Sequence, residues 1–181
     1  MPINVPITIT GAATKDFKPL PKDVYPFELI DIELVNEQAW QSEEMVDKLK
    51  FEFACLDEAF YGRRIWQRAT LKLTSGKKPS TLFTLLSEIL GREITKDELK
   101  TPAKFLSAEF LNTLIGVQLR LSLGLKAPNN EGKVNNSVDS FLPKKQDYPA
   151  FDKEKSKALA EKAKAEWKPE PDEAPLAPPQ M

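Results

Sequence analysis

The chain has 181 residues, 41% of them hydrophobic, which is enough for one domain with a real core plus appendages. A formal net charge of -1 gives no global pull toward nucleic acid, so any polyanion site must come from a local cationic patch offset by acid elsewhere. The absence of histidine and the single cysteine, Cys55, exclude the usual catalytic triads, an internal disulfide and thiolate metal clusters.

Residues 1–22 carry Pro2, Pro6, Gly11, Pro19 and Pro21 with little periodicity and read as an N-terminal arm or short edge strand. Met1–Pro6 has neither the basic nor the continuous apolar part of a secretory signal, and no apolar run is long enough to cross a bilayer. The expectation is a cytoplasmic protein without membrane contact.

A folded unit is expected over 23–143. Val24 to Val35 reads as a long bent strand, with Tyr25, Phe27 and Leu29 on one face and Ile30, Ile32 and Leu34 on the other. Asn36 to Asp47, polar and containing Trp40, reads as a loop. Lys48 to Leu56 alternates, placing Leu49, Phe51, Phe53 and Cys55 inward and Lys50 and Glu52 outward. After a turn at Asp57–Gly62, a third strand sets Ile65, Ala69, Leu71 and Leu73 against Arg64, Trp66, Arg68, Thr70 and Lys72, with Gln67 breaking the apolar face.

Ser80 as N-cap, Leu82, Phe83, Leu85, Leu86, Ile89 and Leu90 at helical spacing, and Gly91 past the end predict a helix. Thr95–Lys100 adds a turn, and Pro102 to Leu114 a second short helical stretch. Val117 to Leu125 then alternates as a half-buried strand, and Asn129–Gly132 turns the chain into a last strand over Val134–Leu142. Residues 144–181 read as a charged tail. Asp152 to Trp167 has only Leu159 as a large aliphatic residue, so it is at most a solvated helix, and the Pro-rich acidic end is extended and disordered.

Three strands, a helix and two strands is the order of the five-stranded OB barrel, so the expected class is mainly β with a helix between the third and fourth strands. The face of its second and third strands carries a cationic and aromatic set: Lys48, Lys50, Arg64, Trp66, Arg68 and Lys72, joined by Phe60, Tyr61 and Arg63 at the hairpin tip. Lys77 follows the third strand, and Arg120 lies on the outward side of the fourth. Indoles stack on bases while arginine and lysine neutralise phosphates, so this pattern points to single-stranded nucleic acid. Two alternatives stay open for Trp66, a stacking platform or cover by the arm or a partner subunit. Phe60 and Tyr61 have hairpin packing as their plain explanation, and Arg120 simple solvation. Adjacent acids such as Asp57 with Glu58 offer no acid and base geometry, and the expectation is a non-catalytic protein needing no cofactor.

Tyr25–Glu33, Leu49–Phe53, Tyr61–Trp66, Ile89–Glu93, Leu114–Gly116 and Val138–Pro143, in that order, resemble a family of small phage-encoded OB-type proteins regarded as single-stranded DNA-binding proteins. The resemblance implies a sheath for single-stranded DNA in replication or recombination, and an acidic tail similar in kind to those by which bacterial single-strand binders recruit replication partners. The tail departs from that pattern in ending Ala177–Met181 without an acidic Pro-Phe tip. The rival expectation is a non-catalytic interaction or scaffold module of a replication or virion complex, with Trp66 at a protein interface. Whether the chain forms a homo-oligomer stays open.

Overall fold

The computed structural model describes residues 18–166. Its organising element is β1 (Asp23–Gln38), which pairs antiparallel with both β2 (Met45–Cys55) and β4 (Gln118–Leu125). Between Leu29, opposite Phe53, and Asp31, opposite Glu52, the register slips by one residue. This bulge at Ile30 bends the strand and inverts its alternation. Tyr25, Phe27 and Leu29 therefore share a face with Ile32 and Leu34, which stand opposite Phe51 and Leu49, and not the opposed faces expected from strict alternation. The bend is what lets one strand serve two neighbours.

β2 pairs next with β3 (Arg64–Thr70), and β4 with β5 (Asn136–Pro143), giving one antiparallel sheet in the order β3-β2-β1-β4-β5. Among the described residues no ladder joins β3 to β5, so the sheet keeps two edges and is not the closed barrel the element order predicts. The stretch entering β1 stands at that seam. Asn136 donates to Leu20 O and accepts from Leu20 N, both at 2.8 Å, and Arg63 Nη2 donates to Lys18 O at 2.6 Å. These side-chain bonds hold the seam where a strand ladder would otherwise do so.

The α1 helix (Thr81–Leu90) forms as its sequence predicts. Ser80 Oγ accepts from Phe83 N at 3.2 Å, and Gly91 takes φ +68° at the C-terminal end. Its apolar face buries Leu82, Phe83, Leu85, Leu86 and Ile89, and the helix touches β3, β4 and β5, so it reaches both edge strands from inside. Phe27, Phe51 and Phe53 fill the centre of the core together with Leu119, Leu121 and Leu123 of β4.

Other expectations shift in detail. Thr95–Lys100 supplies a 3-10 turn at Glu98–Lys100. The single helix expected after Pro102 is two, α2 (Ala103–Leu106) and α3 (Ala108–Thr113), because Ser107 is extended (ψ 141°) and uses its Oγ to cap Phe110 N. The expected loop over 36–47 is strand at both ends: Asn36 pairs with Asp47, Nδ2 to Oδ1 at 2.8 Å, and the turn is confined to residues 39–44 around Trp40, which is 86% exposed. Polar pairing stands here where apolar alternation is missing.

Beyond Pro143 the chain folds back on the sheet. Gln118 clamps Tyr148 from both sides, donating to its carbonyl at 2.9 Å and accepting from its N–H at 3.0 Å. Buried Glu28 accepts from Gln118 Nε2 (3.1 Å) and Phe151 N (2.9 Å). The expected solvated helix is α4 (Lys153–Glu166), which buries no residue and is capped by Asp152 Oδ1, acceptor of Glu154 N and Lys155 N. The expected arm falls largely outside the described residues, as does the acidic Pro-rich end of the tail.

Candidate nucleic-acid interface

The outward face of the sheet follows from the register. Lys48 lies opposite Thr70, Lys50 opposite Arg68, Glu52 opposite Trp66 and Ala54 opposite Arg64. Directly opposed residues share a face, so the cationic and aromatic set of β2 and β3 is brought together as the sequence predicts. Trp66 is 50% exposed, and Ile65 and Ala69 of the same strand face the core.

The surface around the indole is nevertheless not uniformly cationic. β1 lays its own outward residues, Asp31, Glu33, Val35 and Glu37, beside this set. Lys50 Nζ sits 2.6 Å from Glu33, Arg68 Nε donates to Glu37 at 2.7 Å, Lys48 Nζ is 3.8 Å from the same Glu37, and Arg64 Nε is 3.5 Å from Glu52. These four cations, expected to attract phosphate, are each met by a carboxylate. This neighbour set is invisible in β2 and β3 alone, since β1 contributes most of the acid.

The hairpin-tip aromatics are engaged within the chain. Phe60 meets Tyr25 edge to face at 5.5 Å. The Tyr61 ring stacks on Phe151 at 5.6 Å and lies 4.3 Å beneath Lys155 Nζ, while the Arg64 guanidinium covers the other partner, Phe151, at 4.7 Å. Arg64 Nη1 is buried with no hydrogen-bond acceptor among the described residues. Of the aromatic residues singled out in the sequence of this face, Trp66 keeps a free face of substantial size.

A cleft of about 520 Å³ opens along the outer edge of β3, where among the described residues the sheet does not close onto β5. Its lining joins Arg63, Arg64, Trp66 and Arg68 to Lys126, Asn135 and Asn136 across the seam, and includes Gly62 and Pro19. Among the described residues that line it there is no carboxylate. Burial holds the Arg63 guanidinium below its ordinary pKa, a sign that its charge is incompletely hydrated. Positive charge in a concave, partly dehydrated wall acts on a phosphate more strongly than the same charge on an open face.

The other candidates scatter. Lys72 and Lys77 are placed beyond the end of β3. Arg120 is separated from β3 by β1 and β2 and donates its Nε to Pro143 O at 2.8 Å, so it is not brought to the indole. Lys126, Asn135 and Asn136 are contributions that sequence reasoning misses. Lys126 reads there as a solvated charge, and the asparagines as part of the last strand; only the return of the β4–β5 connection to β3 gives them a role. Among the described residues no cluster of three acidic or cysteine side chains is placed to hold a metal ion, and no helix is long and apolar enough to cross a membrane. No protein-family model matches this chain, and no curated protein is significantly similar to it.

Proposed function

We propose that this protein binds single-stranded DNA with little sequence preference, seating it along the β3 edge with Trp66 as the stacking platform and Arg63, Arg64, Arg68 and Lys126 as phosphate partners. The observation that carries the reading is the lining of the cleft: cations from both sides of the seam, a half-exposed indole and no carboxylate among the described residues. A base stacked on an aromatic side chain contributes about 1–3 kcal/mol. Exposed ion pairs contribute about 0–1 kcal/mol, so Glu37 yields Arg68 to a phosphate at modest cost. Stacking and ion pairing need no cofactor and no catalytic group.

The OB-type reading of the fold belongs to the same proposal. Its support is the double pairing of β1 and the placing of α1 between the two edge strands, with the β3–β5 seam left open. Under this reading and the sequence resemblance the protein acts in viral DNA replication or recombination. The rival, a scaffold module with Trp66 in a protein contact, draws on the acidic Glu52 directly across from the indole.

Electrophoretic shifts with oligo-dT, single-stranded RNA and duplex DNA at two salt concentrations test the choice. The proposal expects oligo-dT to shift, more weakly at high salt, and duplex to shift least. No shift of any single strand at low salt refutes it and leaves the scaffold reading.

A further inference from the structure

The α4 helix poses a physical problem. It has 14 residues and buries none of them, so by itself it would be marginal in water. Yet its first turn is fixed against the start of β3 by several independent contacts. Asp152 N donates to Tyr61 Oη at 2.9 Å, Phe151 stacks on Tyr61, and Lys155 Nζ lies 4.3 Å from the Tyr61 ring centre. Ser156 comes so close to Gly62 that a Cβ there would lie 1.9 Å from its Oγ. Gly62 is at once the residue under the helix and part of the lining of the cationic cleft.

We infer that α4 continues the nucleic-acid track beyond the cleft, with Lys153 and Lys157, four residues apart on one face of the helix, taking the phosphates of a strand that leaves past Gly62. This rests on the single-stranded DNA reading and extends it to a residue set outside the sheet. Both lysines are exposed, and the acids beside them are Glu154 and Asp152, whose carboxylate accepts from Glu154 N and Lys155 N. At 1.5 Å per residue the helix offers roughly 20 Å of further surface, which a short oligonucleotide filling only the cleft would not reach. In the sequence alone this segment is a solubilising run of mixed charge; its attachment beside Gly62 is what gives its first turn a place next to the cleft.

The test is the double variant Lys153→Gln, Lys157→Gln in the full chain, which keeps helix propensity and leaves Lys155 over the Tyr61 ring. Binding of a long oligo-dT is measured by titration across a salt series. Every lysine that ceases to neutralise a phosphate takes about 0.7 off the slope of log K against log salt. The inference expects the slope to fall by about 1.4, affinity at low salt to fall severalfold, and the tryptophan fluorescence change at saturation to stay as in the wild type. An unchanged slope and affinity overturns it, and so does tighter binding, which would make the helix an obstacle. Failure of the wild-type protein itself to bind overturns the parent reading, and is distinguishable because it does not depend on the variant.

Discussion

Glu37 of β1 accepts a hydrogen bond from Arg68 Nε of β3 at 2.7 Å although β2 lies between the two strands. The same carboxylate stands 3.8 Å from the Lys48 ammonium, so one acid occupies two of the cations that a phosphate would use. Replacing it should therefore improve binding. Glu37→Gln is expected to raise affinity for oligo-dT about two- to fivefold and to steepen its salt dependence, consistent with the roughly 0–1 kcal/mol of an exposed pair. Weaker binding in that variant would mean that Glu37 orients Arg68 and does not compete for it.

Trp66→Ala should separate binding from stability. The side chain is 50% exposed, so its removal creates no closed cavity and should change Tm little. Loss of one stacked base at about 1–3 kcal/mol corresponds to a roughly 5- to 150-fold drop in affinity. Parallel thermal melts and oligonucleotide titrations check both halves; a large fall in Tm would reassign the indole to packing.

Gly62→Ala is expected to be costly for two reasons at one position. The residue has φ +81°, and an added Cβ would meet Ser156 Oγ at 1.9 Å. Left-handed backbone strain and overpacking together cost about 2–4 kcal/mol. Chemical denaturation measures it, and Gly62→Ala with Ser156→Gly should recover the part due to the clash alone.

Much of this arrangement is legible in the sequence, and the limits have physical causes. The cap at Ser80, the stop at Gly91 and the alternation of β2 and β4 are encoded within a few residues, and they form as read. The bulge at Ile30 is not legible, because an apolar residue at either phase looks like a strand with two buried faces. The grouping of Lys50, Arg68 and Trp66 follows from period-two alternation. The placing of Glu33, Glu37 and Glu52 among them depends on which strand neighbours which. Lys126 and Asn136 belong to the cleft only because the β4–β5 connection returns to β3, a long-range fact with no local trace.

Acid should weaken the connection before α2. Hydrogen bonds from Arg92 to Glu98, followed by the Thr95 backbone N–H, lower the carboxyl from its ordinary 4.5 to about 2. A lowered folded-state pKa means that this contribution is complete above about pH 4.5 and is lost as the pH falls toward about 2. Glu98→Gln should thus lower Tm near neutrality and differ less and less from wild type on acidification through that window. A Tm difference that persists unchanged at the acid end would contradict the linkage.

Cys55 is buried, and burial pushes its thiol up to about 11. The native protein should resist a thiol reagent at mildly alkaline pH and react fully once unfolded. Fast labelling of the native protein would reveal local opening of the β2 end.

The central claim is that the indole of Trp66 receives unpaired bases. In a Trp40→Phe, Trp167→Phe background, where Trp66 is the sole tryptophan, the fluorescence titration with oligo-dT at low salt should show saturable quenching that is reversed by added salt. An emission spectrum that does not respond to saturating oligo-dT at low salt would contradict the account.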